Sequence, residues 1–117
     1  MITIDYCKEG RPVSDFETEN FVKRIIEESK QSDVEIEVST TNVITYICML
    51  ISQDKLSCYG VTIKENHVKK EVNKYGDVKD GIAEDMELNW LLKGIEAGIE
   101  KRNKEREEKR IKNEPEN

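Results

Sequence analysis

The sequence predicts an α+β protein: a two-layer domain that combines a small mixed sheet of about four strands with two helices and a long C-terminal helix. Short segments that alternate apolar and polar residues, as half-buried strands do, are interspersed with segments whose apolar residues recur at helical spacing. The C-terminal part carries one apolar stripe in a highly charged segment, which is typical of a long helix. We therefore place the sheet domain at residues 1–81, a long helix at 82–112, as part of the same domain or as an oligomerisation arm, and a disordered tail at 113–117.

The first strand is indicated by ITIDYC at residues 2–7, where Ile2, Ile4 and Tyr6 alternate with polar residues that include Asp5. The sequence GRP then ends the strand. A helix follows, because Ser14 or Asp15 supplies an N-cap with a partner three positions later. The apolar residues that recur near helical spacing in this helix are Phe16, Phe21, Val22 and Ile25.

The second strand is predicted at residues 34–39 (VEIEVS), whose strict alternation exposes Glu35 and Glu37. The next segment, residues 39–55 (STTNVITYICMLISQDK), has two interpretations. Its β-branched residues favour a long strand, but a threonine can cap its start and its largest apolar residues follow a helical stripe, namely Val43, Ile47, Leu50 and Ile51. We interpret it as a buried helix, with the strand as the alternative.

Two further strands are predicted in CYGVTIKEN and HVKKEVNKYG, joined by a tight turn at residues 65–67 that lacks the preferred Asn-Gly pair. The long helix follows, with an apolar stripe formed by Leu88, Leu91, Leu92, Ile95 and Ile99. Its charged second half contains acidic residues four positions before basic ones, which stabilise a solvated helix. Gly94 and Gly98, four residues apart, either allow another helix to approach closely or are tolerated surface glycines. An apolar face on a projecting helix also favours a homodimer or higher oligomer.

Composition restricts the class of protein. The three cysteines have no close partner, which is typical of a reducing compartment. The N-terminus lacks signal-peptide features, and the longest nearly unbroken apolar run, residues 43–51, is too short to cross a bilayer, so we expect a soluble cytoplasmic protein without a membrane partner. The net charge is −6, although residues 100–112 hold an excess of cations. A basic helix on an acidic body argues against nucleic-acid binding and suits self-association or capture of a small anion.

No catalytic motif is recognisable. The sequence lacks the glycine-rich, zinc-protease and nucleophile-elbow patterns that accompany common enzymes. His67 is the only histidine, and a nucleophile–base pair with Cys58 has nothing in the sequence to orient the imidazole. No cluster of metal-ligand residues is visible. We therefore expect a non-enzymatic binding protein with no catalytic residues, cofactor or metal.

The residues that best suit ligand binding lie in and before the long helix. Arg102, Arg106 and Arg110 are four residues apart, so a helix stacks guanidinium groups that match phosphate oxygens; alternatively, neighbouring glutamates make the row an ordinary solvated surface. Asn89 can bind a base or ribose edge. Trp90 or Tyr75 can stack on a purine, or they serve as a packing residue and a hairpin anchor.

Asn89, followed by Arg106 and then Arg110 in a C-terminal helix, resembles the pattern of the phage Thoeris anti-defence sponge proteins. Those proteins are non-enzymatic oligomers that sequester cyclic ADP-ribose signals. The resemblance implies that Asn89 contacts the nucleoside, that the two arginines contact the pyrophosphate, and that Tyr75 or Trp90 supplies the stacking ring. We expect an inhibitor of phage or mobile-element type whose partners are itself and a cyclic nucleotide or a host defence protein. The alternative is a protein–protein inhibitor or scaffold that acts through its acidic body or long helix.

Overall fold

A computed structural model describes residues 1–79, 81 and 88–113, with only the backbone described at 88–92 and 111–113. The chain forms seven main helices and strands in these ranges: β1 Ile2–Arg11, α1 Asp15–Ser29, β2 Val34–Val38, α2 Asn42–Ser52, β3 Val61–Glu65, β4 Val68–Lys70 and α3 Leu88–Asn113. The sheet order is β2-β1-β3-β4, with β1 parallel to β2 and β3, and β4 antiparallel to β3. The α+β class and the mixed four-stranded sheet are therefore confirmed.

The core face of the sheet follows from its register. Ile4 lies opposite Ile36 of β2 and Ile63 of β3, so three β-branched side chains form one row. Ile4 and Ile63 are fully buried. The apolar side of each predicted alternation therefore faces the helices, whereas Glu35 and Glu37 are exposed, as expected for a sheet with one wet face.

Helix α1 begins as predicted but exposes a residue assigned to its apolar face. The Ser14 side chain accepts a hydrogen bond from the Glu17 backbone N–H and caps the helix. The buried face consists of Thr18, Val22 and Ile25. The prediction is wrong for Phe16, whose ring is 98% exposed. Because a helix turns by about 100° per residue, a side chain two positions before Thr18 points away from the core.

The ambiguous segment is a helix, α2, and all eleven of its residues are buried. A helix that is apolar around its whole circumference requires neighbours on every side, and α2 contacts both α1 and α3. The predicted threonine cap is wrong in detail: the N-cap Thr41 forms no side-chain capping bond. Asn42 replaces it, because its Oδ1 accepts from the Val43 N–H at 2.9 Å and its Nδ2 donates to the Val13 carbonyl at 2.6 Å.

Helix α3 approaches α2 through its glycines rather than through its isoleucines. A Cβ added at Gly94 would lie 3.4 Å from the Met49 Cα, and one at Gly98 would lie 3.2 Å from the Tyr75 carbonyl oxygen. Ile95 and Ile99 of the predicted stripe are 47% and 48% exposed, because the small residues occupy the inner face. The stripe therefore does not pack on the sheet domain at these two positions, and its expected cover by a partner copy stays a prediction. The side chains predicted at residues 88, 91 and 92 lie outside the described ones.

Helix α3 also extends beyond the sheet domain. It spans 26 residues, or about 39 Å. The radius of gyration is 15.9 Å, against about 13 Å for a compact chain of this length. The predicted helix residues 82–87 and tail residues 114–117 lie outside the described part, and Asn113 is the last residue of α3. No helix among the described residues is both long and apolar enough to span a bilayer.

Candidate functional site

Tyr75 and Arg102, two of the predicted ligand-binding residues, contact each other. The Arg102 guanidinium lies over the Tyr75 ring, with its Cζ 4.4 Å from the ring centre. The Tyr75 hydroxyl donates a hydrogen bond to the Glu105 carboxylate, and Arg102 forms an ion pair with Asp77. The face and edge of this ring are therefore engaged by α3, so Tyr75 holds the helix, a contact that neither the stacking nor the hairpin-anchor interpretation anticipated.

Lysines extend this anchor. The Lys101 ammonium donates to the Lys74 carbonyl at 2.6 Å and forms an ion pair with Asp54 at 2.8 Å. Lys74 in turn forms an ion pair with Glu105 at 2.8 Å. The first part of the basic segment is thus neutralised by acidic groups and carbonyls, and its role is to hold α3 against the sheet domain.

The acid dependence of this anchor is testable at Glu105. The hydrogen bond from Lys74 lowers the pKa of Glu105 most, and the hydrogen bond from Tyr75 lowers it further. A lowered folded-state pKa means that the stabilisation is complete above the ordinary glutamate pKa of about 4.3 and is lost as the pH falls through the folded-state value. We expect Glu105→Gln to have a lower melting temperature than the wild type at pH 7, and the difference to become smaller at pH 3. Thermal unfolding followed by circular dichroism at both pH values measures this; an equal difference at both would contradict it, and Glu108→Gln is the exposed control on the same helix.

Of the remaining predicted residues, the structure describes the side chains of Arg106 and Arg110. Arg106 and Arg110 are both exposed on the part of α3 that extends past the anchor. Arg110 pairs with Glu107 at 2.7 Å, whereas Arg106 makes no ion pair with any described residue. Asn89 and Trp90 belong to α3 by their backbone, but their side chains lie outside the described ones.

A groove that the sequence interpretation missed lies between the end of β1 and α1. It has a volume of about 230 Å³ and is lined by Arg11, Phe16, Glu17, Asn20, Phe21 and Arg24. We call these six residues the α1 groove. Phe16, Asn20 and Arg24 are four residues apart and therefore share one helix face. That spacing was the available signal, but the assignment of Phe16 to the core concealed it.

The α1 groove combines cationic and aromatic groups. The Arg11 Cζ lies 5.2 Å from the centre of the Phe21 ring, and its guanidinium forms an ion pair with Glu17 at 3.1 Å. Arg24 makes no ion pair within the described ranges. Two guanidinium groups against one carboxylate leave the groove with a net positive charge. The phenyl ring of Phe16, which no described residue covers, lies at the same groove.

A second cluster forms on the polar face of the sheet. Asp5 was expected on the wet side of β1, but it is only 3% exposed. The hairpin turn at Asn66 and His67 covers it, and the His67 Nδ1 lies 2.6 Å from Asp5 Oδ2. Cys7 belongs to the same cluster, so the cysteine near the histidine is Cys7 and not Cys58, whose pairing with His67 the sequence did not favour. Cys58 instead lines a separate shallow cavity beside Tyr59.

No known protein family, curated protein or solved structure matches the chain. The geometry of these clusters therefore carries the functional proposal.

Proposed function

We propose that the protein is a non-enzymatic binding protein that sequesters a phosphate-bearing nucleotide, with the α1 groove as its binding site. The supporting observation is that two guanidinium groups, of Arg11 and Arg24, border the same cavity as the phenyl rings of Phe16 and Phe21. Guanidinium forks match phosphate oxygens, and an aromatic ring offers a stacking surface to a base.

The dimensions of the groove suit part of such a ligand. At about 230 Å³ it is smaller than the pockets of roughly 300–1,000 Å³ that enclose a drug-sized molecule. A ligand of the size of a cyclic dinucleotide would therefore place one phosphate and one ring in the groove. The rest of the ligand would be contacted by a second copy of the chain. The half-exposed Ile95 and Ile99 on α3 favour such self-association.

The ligand class follows from the resemblance to the Thoeris anti-defence sponges, which implies a cyclic ADP-ribose signal and a role in blocking a host defence pathway. Catalysis is not part of this proposal. Arg106 and Arg110, the residues that the resemblance selects, are a second location for the same ligand, since both are exposed.

Matched charge removal distinguishes the two locations. Arg11→Gln/Arg24→Gln and Arg106→Gln/Arg110→Gln each remove two positive charges, so their effects on net charge are equal. Two charge-assisted hydrogen bonds contribute about 3 kcal/mol or more together, so we expect the groove double variant to bind a cyclic ADP-ribose isomer about 100-fold more weakly. The α3 double variant should stay within about threefold of the wild type, because nonspecific attraction is screened by salt.

Isothermal titration calorimetry at physiological salt, with each cyclic ADP-ribose isomer, measures both effects. If the α3 double variant loses more affinity than the groove double variant, the binding site lies on α3. An absence of binding by the wild-type protein to every isomer would refute the sequestration proposal. A protein–protein inhibitor is the second candidate, favoured by the extension of α3 and its exposed isoleucines; a single stoichiometric host protein captured equally by wild type and the groove variant would support it.

A further inference from the structure

We propose that Asp5, Cys7 and His67 form a binding site for a divalent transition metal, with Zn²⁺ as the ion that fits best. One ligand atom from each residue lies within 4.8 Å of the other two. Zinc bond lengths place the ligand atoms of a tetrahedral site about 3.3–3.8 Å apart. The most widely spaced atoms of the cluster would approach by about 1 Å, whereas His67 Nδ1 and Asp5 Oδ2, now 2.6 Å apart, would separate to admit the ion. The set provides a sulfur, a nitrogen and an oxygen, which are the three ligand types that zinc accepts.

The fold brings these groups together from distant parts of the sequence. Asp5 and Cys7 are two residues apart on β1, which points their side chains to the same face. His67 comes from the turn between β3 and β4 and has a left-handed backbone with φ 69°. Asp5 holds it there, because Oδ1 accepts the His67 backbone N–H at 3.0 Å while Oδ2 contacts Nδ1. The histidine side chain is 62% exposed, so an ion can reach the cluster from solvent.

Glu37 lies beside the cluster rather than within it. It lies opposite Asp5 in the register of β1 and β2. Cys7 is 2% exposed, and the carboxylates of Asp5, Glu37 and Glu9 place negative charge around its thiol. A divalent cation would neutralise this charge, since it stabilises the thiolate and the surrounding carboxylates together.

The same electrostatics distinguish a metal site from a catalytic triad. A nucleophilic cysteine requires a positive neighbourhood that lowers its pKa, whereas negative groups surround Cys7. Metal binding requires no such activation, because the ion itself displaces the thiol proton.

Two variants test the site without relying on one substitution. Cys7→Ala removes the sulfur. His67→Gly removes the imidazole but keeps the backbone N–H that Asp5 accepts, and glycine adopts the left-handed conformation more readily than histidine. Asn66 also has a positive φ, of 50°, so the turn with Asn-Gly has the preferred sequence of a two-residue hairpin. Cys58→Ala is the control, since it removes a half-buried thiol outside the cluster.

The experiment titrates the reduced, chelator-treated full-length protein with Co²⁺, followed by displacement with Zn²⁺. We expect one Co²⁺ per chain with a thiolate-to-cobalt charge-transfer band, and a loss of affinity of at least about tenfold in Cys7→Ala and in His67→Gly. Cys58→Ala should bind like the wild type. Circular dichroism confirms that each variant is folded. The proposal fails if the wild type shows no such band, if either cluster variant binds unchanged, or if Cys58→Ala loses the band.

This inference is independent of the proposed nucleotide binding, because the residues of the two sites do not overlap. It also replaces the expectation of a protein without a metal site.

Discussion

Replacement of Gly10 by alanine is expected to lower the free energy of unfolding by about 3 kcal/mol or more, the largest effect among substitutions that add one methyl group. A Cβ at this position would lie 2.6 Å from the Val38 Cα and closer still to the neighbouring backbone atoms of β2. Backbone in a paired strand cannot yield as a flexible side chain can. Either the register between β1 and β2 shifts or the two strands separate at this end.

Urea unfolding followed by circular dichroism measures the loss. Gly60→Ala is the matched control, because a Cβ there has no described heavy atom within 4 Å. We expect the control to change stability by less than about 0.5 kcal/mol. Equal stabilities of the two variants would contradict the close approach of the strands. Gly10 immediately precedes Arg11, so the same substitution should also lower the affinity of the α1 groove for its ligand.

Replacement of Gly76 by alanine is expected to release α3 and to destabilise the protein by about 3 kcal/mol. Gly76 has φ 82°, a left-handed conformation that costs a residue with a side chain about 1–2 kcal/mol. In addition, an added Cβ would overlap the Cys48 carbonyl oxygen of α2. The turn between Tyr75 and Asp77 would have to move, and these two residues hold Arg102.

Gly81→Ala separates the two causes. Gly81 also has a positive φ, of 66°, but a Cβ there meets no described atom within 4 Å. We expect this control to lose only the stability that corresponds to the conformational cost, about 1 kcal/mol. Native-state hydrogen exchange should show faster exchange of α3 amides in Gly76→Ala than in Gly81→Ala, with the amides of β1 less affected. Similar exchange of α3 in both variants would show that the contact with Cys48 does not hold the helix.

The predictions that depended on local periodicity succeeded. Alternation located the start of β1 and all of β2, and the stripe containing Val43 and Ile47 distinguished α2 from a long strand. The predicted end of β1 was wrong, because the strand continues through Gly10 to Arg11, where it still pairs with Val38 of β2. The cap at Ser14 was also predictable, because a capping side chain bonds to the backbone only three residues away. Each of these features is determined within one or two turns of the chain.

The predictions that required a choice between partners failed or stayed open. Ile95 and Ile99 are as apolar as the core residues, yet the inner face of α3 is occupied by Gly94, which lies against Met49 of α2, and by Gly98, which lies against Tyr75. Phe16 falls near the helical stripe but points away from the sheet. Composition and spacing specify which side chains share a face, not which face meets a neighbouring element.

The sequence by itself determined the α+β class, the order of the strands and helices along the chain, and the charged character of α3, because these depend on side-chain periodicity within single segments. Only the tertiary structure decided that Asp5 is buried beneath His67, that Arg102 is neutralised by Asp77, and that Arg11 joins Arg24 at one groove. These contacts join residues far apart in sequence, and their geometry depends on strand register and helix packing, which no local pattern encodes.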